Sequence, residues 1–343
     1  MSKLDAICKE FNKTAKEEVA YMGVAQYDET FIPLSSPKAN YALHGGIPLG
    51  RIVEFSGVEH GGKTSTAINL AGNAQKFFEQ ENPDNPRKVV FIDSENTFDP
   101  VWASKLGFDC TKALMVSPKD QTAEDLFNFA LEVMKTGEVG LVILDSLASL
   151  MSKREYEKKV GEASVGGISV PLTRFSKEAA GVCKKYNCTF LGINQVRDKI
   201  NSPYGGTTTP GGRAWKHECS IRMEFRPGDF FDHKGAKVAS TSDGIVSNSV
   251  VFTIKKSKCF PNDRKTGSYT LHYYKGVLEI EDTIDLAILS GDIVQAGAWC
   301  KLIDKSTGEI LETFQGRAKT AEYLQEHPDK LAEIKKSLEE FGK

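Results

Sequence analysis

The apolar run Arg51-Ile52-Val53-Glu54-Phe55 leads through Ser56 into Gly57-Val58-Glu59-His60-Gly61-Gly62-Lys63-Thr64, and a helix-forming stretch, Ser65-Thr66-Ala67-Ile68-Asn69-Leu70, follows directly. This is the pattern G-x-x-x-x-G-K-[ST] in the strand, loop, helix context that gives it meaning. Glycines let successive backbone N–H groups turn inward around a phosphate, and the new helix adds the positive end of its dipole. Lys63 then offers charge to terminal phosphates, and the Thr64 hydroxyl is placed to ligate magnesium. Gly57, Val58, Glu59, His60, Gly61, Gly62, Lys63, Thr64 and Ser65 are therefore the expected nucleotide cradle, with ATP and Mg2+ as its ligands.

Further strand-length apolar runs occur as KVVFID from 88, GLVILD from 140, CTFLGIN from 188, SIRMEF from 220 and SVVFTI from 249. Helix-like stretches such as TSTAINLAGNAQKFFEQ and AEDLFNFALEVMKTG lie between the earlier ones. Continuous apolar strands alternating with helices predict an α/β fold with a mainly parallel sheet covered on both faces. Three regions are expected: an N-terminal oligomerisation segment, 1–36, with an amphipathic stretch from Leu4 to Val19; an ATPase core, 37–266; and a small α+β C-terminal domain, 267–343.

The 343 residues, 40% hydrophobic with mixed charges, describe an ordinary globular chain, and no run has the length and apolarity of a membrane span. The charged N-terminus lacks a signal-peptide core, so a cytoplasmic location without membrane partners is expected. Seven cysteines, at 8, 110, 183, 188, 219, 259 and 300, include no C-x-x-C pair, which removes the usual zinc and disulfide readings. A net charge of −2 gives no global pull toward nucleic acid, so any DNA contact has to come from local basic patches.

Downstream of the phosphate loop, Leu141–Leu144 lead into Asp145 and Ser146. A carboxylate at a strand end beside a phosphate loop is the natural second holder of magnesium, so Thr64 and Asp145 are the candidate metal pair. Glu95 follows KVVFID at the same expected sheet edge and is the candidate base that orients or deprotonates water.

Taken together, GGIPLGRIVEFSG, FIDSENTFDPVWASKLG, LVILDSLASL and INQVR resemble, in order and spacing, the motif series of the bacterial RecA recombinases, and a phage-encoded relative falls within the same resemblance. AGAW at 296, QGR at 315 and YLQEHPDKLAEIKKSL resemble that family's small terminal domain. The resemblance implies that Glu95 activates water, that Asp99 and Trp102 border adenine, and that Gln195 senses the γ-phosphate. The Gly-rich DKINSPYGGTTTPGGR resembles the second DNA-binding loop, which makes Arg197, Lys199, Tyr204, Gly211, Gly212 and Arg213 candidate DNA contacts. KREYEKKVGEASVGGISVPLTRF occupies the place of the first DNA loop and contributes Arg174, although it matches poorly beyond Gly161-Glu162. In TIKKSKCFP, two lysines are expected to reach a neighbouring subunit's ATP: K-x-K spacing selects Lys256 and Lys258, whereas gapless counting from Pro261 favours Lys255.

The resemblance thus implies a DNA-dependent ATPase that forms a homo-oligomeric helical filament on single-stranded DNA and pairs it with a homologous duplex in recombination and DNA repair. Single-strand-binding and loading proteins are further expected partners. Two alternatives share the ATP site: a hexameric helicase, and a mediator that binds ATP without exchanging strands. Val58 and His60 depart from the family's usual phosphate-loop residues.

Overall fold

A computed structural model describes residues 3–16, 20, 29–159, 167–198 and 207–342. The chain divides into two units, 1–30 and 31–343. In the first, a helix spans Lys3–Ala15 with none of its residues buried. Leu4, Ile7 and Phe11 are exposed. The amphipathic stretch expected to reach Val19 ends as helix at Ala15, because Lys16 turns to φ 57° and Asn12 bonds both backbone polar groups of Ala20 at 2.7 Å.

The second unit is built on one large twisted sheet. Crossing it, the strands are Gly276–Val277, Thr266–His272, Ile245–Ser257, Ile221–Asp232, Ile52–Gly57, Thr189–Gln195, Val139–Asp145, Lys88–Asp93 and Leu114–Val116. From Ile221–Asp232 to Leu114–Val116 all neighbours run parallel. The strands before that point run antiparallel. The α/β, mainly parallel expectation is met, with SVVFTI entering as an antiparallel strand beside SIRMEF. Val139–Asp145 is buried at every position, as a strand covered on both faces must be.

One face of the sheet packs on the helix Lys63–Glu81, through Ala67, Leu70, Ala71, Ala74 and Phe78 against Val53, Phe55, Phe91 and Ile143. The other packs on Ala123–Lys135 and Ser169–Tyr186, where Phe127 and Phe175 stack with ring centroids 4.6 Å apart. Two helix ends have a clear local cause. Thr122 and Asp125 form a capping box, and Asn187 at φ 49° ends Ser169–Tyr186 in the left-handed conformation that Asn tolerates.

A third core cluster begins with the helix Glu279–Ser290, which carries Ile284, Leu286 and Ala287. The antiparallel strands Ile293–Ala296, Trp299–Ile303 and Ile310–Gln315 complete this cluster with the helices Gly316–Glu326 and Pro328–Gly342. The break between clusters lies after Val277, because Thr266–His272 and Gly276–Val277 pair into the central sheet. The boundary expected at 266/267 therefore falls at the start of a core strand. Buried Asp282 and half-buried Asp285 hold Lys38 at 2.9 and 2.7 Å, tying this cluster to the helix Pro37–Ala42. Among the described residues, no helix is long and apolar enough to cross a membrane.

Candidate nucleotide and DNA site

Parallel strands bring their C-terminal ends to one edge, and the loops leaving that edge form the site. In register, Gly57 lies beside Gln195 and Asp93 beside Asp145, so four chain segments deliver their ends to one cleft. The phosphate loop leaves Ile52–Gly57 and enters Lys63–Glu81 through Gly62, at φ 91°. Gly57 has no room for a side chain, because a Cβ there would sit 2.2 Å from the Phe225 carbonyl oxygen.

Lys63 Nζ donates to the carbonyls of Gly57 at 3.1 Å and Val58 at 2.6 Å. Burial lowers the Lys63 pKa, opposed by the charges of Asp145, Glu95 and Glu59. Thr64 Oγ1 donates to Asp145 Oδ2 at 2.7 Å. Asp145 is pushed up to about 6, first by burial and then by the neighbouring Glu95 and Asp93 charges, against the Thr64 hydrogen bond and the Lys63 charge. Burial and the two neighbouring carboxylates outweigh the Lys63 charge at Asp145, so a divalent cation would relieve it. Among the described residues no cluster of three or more His, Cys, Asp or Glu side chains is arranged to hold a metal. Thr64 Oγ1 and Asp145 Oδ2, 2.7 Å apart, are hard oxygen donors that suit a cation taking its remaining oxygens from phosphate and water.

Glu95 is exposed at the cleft and accepts from Ser146 Oγ. Ser94 Oγ donates to the Ser146 carbonyl at 3.0 Å, bracing the same turn. Glu59, His60, Gly61, Gly62, Lys63, Thr64 and Ser65 line the cleft with Glu95, Asp145 and Gln195, around a cavity of about 700 Å³. The expected phosphate, metal and water-activating groups thus face one space.

Trp102 stands in the wall, with Nε1 donating to Ser65 Oγ at 3.3 Å. Asp99 does not. Its Oδ1 accepts from Val101 N at 2.8 Å and Trp102 N at 3.2 Å, capping the helix Pro100–Lys105, so its observed contacts fix Trp102's helix. Phe230, Asn248 and Tyr273 also line the cavity. Sequence reasoning missed them because they sit on the antiparallel extension, which no motif marks.

Of the expected DNA contacts, Arg197 pairs with Thr208 in a short two-stranded ribbon. Arg197, Arg213 and Arg174 stand outside the buried core. Gly212 and Arg213 open the helix Gly212–Glu218, for which Gly211 at φ 102° is the cap. A Cβ on Gly211 would meet Leu172 at 2.6 Å, so packing also demands that glycine. Lys199 and Tyr204, like Gly161-Glu162, lie outside the described residues.

The lysine cluster is split. Lys256 Nζ donates to the carbonyls of Lys216 at 2.8 Å and His217 at 2.6 Å, closing the C-terminal end of Gly212–Glu218 within its own chain. That occupation competes with the expected reach of Lys256 to a neighbour. Lys255 pairs with Glu224 at 3.0 Å. Lys258 is exposed. Arg222 pairs with Lys256 but Met223 with Ile254, which makes Lys255 the extra residue of a β-bulge. The bulge shifts the strand's phase by one residue just where the two ways of counting lysines diverge.

Residues 2–277 match the RecA N-terminal domain. Protein RecA of Thermus aquaticus is 33% identical over 343 residues, covering 99% of this chain and 93% of the relative. Protein RecA of a Thermus thermophilus strain is 34% identical over 342 residues, with the same coverages, 99% and 93%. Protein RecA of Ruminococcus albus is 32% identical over 333 residues, covering 96% of this chain and 77% of the relative. Similarity that continues through the C-terminal cluster favours a strand-exchange protein over the ring helicase and the non-exchanging mediator.

Proposed function

The chain belongs to the RecA family, and from that membership we propose which of its residues carry out the family's work. Its activity is ATP-dependent homologous recombination: it is a DNA-dependent ATPase that assembles as a homo-oligomeric filament on DNA. The phosphate-loop amides from Gly57 to Ser65 and the Lys63 ammonium hold the triphosphate, while Trp102 and Tyr273 flank the base. Thr64 and Asp145 hold Mg2+, which when bound neutralises charge on the phosphate oxygens. Glu95, oriented by Ser146, accepts a proton from the water that attacks the γ-phosphorus as the bond to ADP oxygen breaks. Lys63 remains beside the charge that develops on the phosphates.

Gln195 reports the γ-phosphate through its amide to the segment that follows, where Arg197, Lys199, Tyr204, Gly211, Gly212 and Arg213 take DNA. Arg174 adds charge from the side of the first loop. Lys258 reaches the neighbouring protomer's nucleotide, and Lys256 acts instead through the helix it caps. Single-stranded DNA binds first and a homologous duplex second, with base pairing reading the sequence. Single-strand-binding and loading proteins assist in a cytoplasmic setting. Residues 1–36 mediate polymerisation, the core from residue 37 through the central-sheet strand Gly276–Val277 hydrolyses ATP, and the remainder to 343 forms the terminal domain.

The observation that carries this reading is the convergence of Lys63, the Thr64–Asp145 pair, Glu95 and Gln195 on one cavity. Electron microscopy with Mg2+, single-stranded DNA and a slowly hydrolysed ATP analogue tests it. Extended helical filaments from the wild type, absent with Lys63→Ala, support the assignment. Filaments that form equally well with Lys63→Ala overturn it.

A further inference from the structure

Glu54 has no part in the chemistry above, yet its carboxylate is completely buried three residues before Gly57. Oε1 accepts from Asn194 Nδ2 at 2.9 Å and from Trp215 Nε1 at 2.8 Å. Oε2 accepts from Arg222 Nε at 2.5 Å. These three donors belong to separate elements: the strand ending in Gln195, the helix Gly212–Glu218 and the strand Ile221–Asp232.

Each partner carries the connection further. Asn194 Oδ1 accepts from the Gln195 backbone N–H at 3.0 Å, and Asn194 Nδ2 also donates to the Pro210 carbonyl at 3.0 Å. Arg222 Nη2 donates to Thr209 Oγ1 at 3.3 Å. Thr209 and Pro210 form the C-terminal root of the Gly-rich loop, and Trp215 is buried in the helix that follows it. One carboxylate therefore joins the strand that opens the phosphate loop, the residue beside Gln195, and both the root and the exit helix of the loop.

We propose that Glu54 is a positioning residue that couples nucleotide occupancy to DNA affinity, by holding the Gln195 strand end and the Thr209–Trp215 segment as one mechanical body. The proposal rests on the reading of Gln195 as the γ-phosphate contact and of the Gly-rich loop as a DNA contact. A buried carboxylate separated from its donors loses hydrogen bonds that no water replaces. A shift of the Gln195 strand end is therefore transmitted to Thr209 and Trp215, not absorbed between them. Glutamine at this position keeps an oxygen for Asn194 and Trp215 but turns an N–H₂ toward Arg222, which severs the arm to Thr209.

The test is the coupling ratio of the full-length protein: the affinity for a fluorescent oligo-dT with Mg2+ and a slowly hydrolysed ATP analogue, divided by the affinity without nucleotide. Glu54→Gln is expected to cut this ratio about tenfold, with nucleotide affinity in the absence of DNA within about threefold of wild type. The double variant Glu54→Gln/Arg222→Gln replaces the buried ion pair by a neutral amide pair. It is expected to regain stability in urea unfolding while the ratio stays low, because glutamine is too short to span to Thr209. A purely structural role predicts that the ratio returns with stability, and that result overturns the proposal. So does a folded Glu54→Gln protein with the wild-type ratio. A wild-type ratio of one, with no nucleotide effect on DNA affinity, refutes the underlying functional reading and takes the proposal with it.

Discussion

Thr64 Oγ1 donates to Asp145 Oδ2 across 2.7 Å, although the two residues are 81 positions apart in the chain. The bond places a hydroxyl from the first turn of a helix against a buried carboxylate at the end of a strand. Burial and neighbouring carboxylates raise the Asp145 pKa from 3.8 to about 6.

That shift has a signed consequence for stability. A carboxylate whose folded pKa lies above its unfolded value contributes stability that is fully present below about pH 4 and is lost as pH rises through about 6. Asp145→Asn removes the charged state, so in EDTA without nucleotide the variant is expected to exceed wild type by roughly 2–3 kcal/mol at about pH 7. The advantage is expected to vanish at about pH 4, and Mg2+-dependent ATP binding is expected to be lost. Urea unfolding at both pH values and calorimetric titration with ATP check the two halves. A variant less stable than wild type at neutral pH would show that the Asp145 hydrogen bond outweighs its burial.

Glu95 reaches the cavity from a turn and is held by Ser146 Oγ. Glu95→Gln keeps the shape and removes the proposed base. DNA-stimulated ATP hydrolysis is expected to fall on the order of 10²- to 10⁴-fold. ATP affinity is expected to be unchanged, and filaments to persist longer after ATP is added. Steady-state hydrolysis alongside nucleotide binding separates this outcome from a general loss of the site.

Gly57 leaves no space for a methyl group, with the Phe225 carbonyl oxygen 2.2 Å from an ideal Cβ and φ at 151°. Gly57→Ala is expected to displace the strand Ile221–Asp232 or the loop itself. The cost is about 2–4 kcal/mol of stability, together with loss of ATP binding. Differential scanning calorimetry and nucleotide titration report the two effects, and a stable variant that binds ATP normally would contradict the packing.

Trp102 and Tyr273 line the cavity from chain segments far apart in sequence. Replacing Trp102 by Ala removes an aromatic wall and leaves the phosphate loop intact. ATP affinity is expected to weaken about tenfold, which is about 1.4 kcal/mol. Tripolyphosphate, which carries no base, is expected to bind both proteins alike. Equal weakening for the two ligands would place Trp102 against phosphate instead.

Local pattern carried a large part of this molecule. The phosphate loop is legible because its glycines and the strand and helix on either side are contiguous in the chain, and Gly62 at φ 91° meets the backbone demand that such a loop makes. The parallel core is legible because strands covered on both faces become unbroken apolar runs, as in Leu141–Leu144. Asp145 and Glu95 were readable as strand-end carboxylates.

Lateral order was not readable in the same way. Periodicity records which side chains are buried, but it does not record which strand lies next to which. Only the pairing of Thr189–Gln195 between Ile52–Gly57 and Val139–Asp145 brings Gln195 into the cleft beside the phosphate loop. The antiparallel extension supplied Phe230, Asn248 and Tyr273, and the bulge at Lys255 left Lys256 capping a helix. Glu54 is the clearest case: in the chain it is one polar residue in a strand, and its role follows from three donors on three other elements that only the packed fold brings within hydrogen-bonding distance.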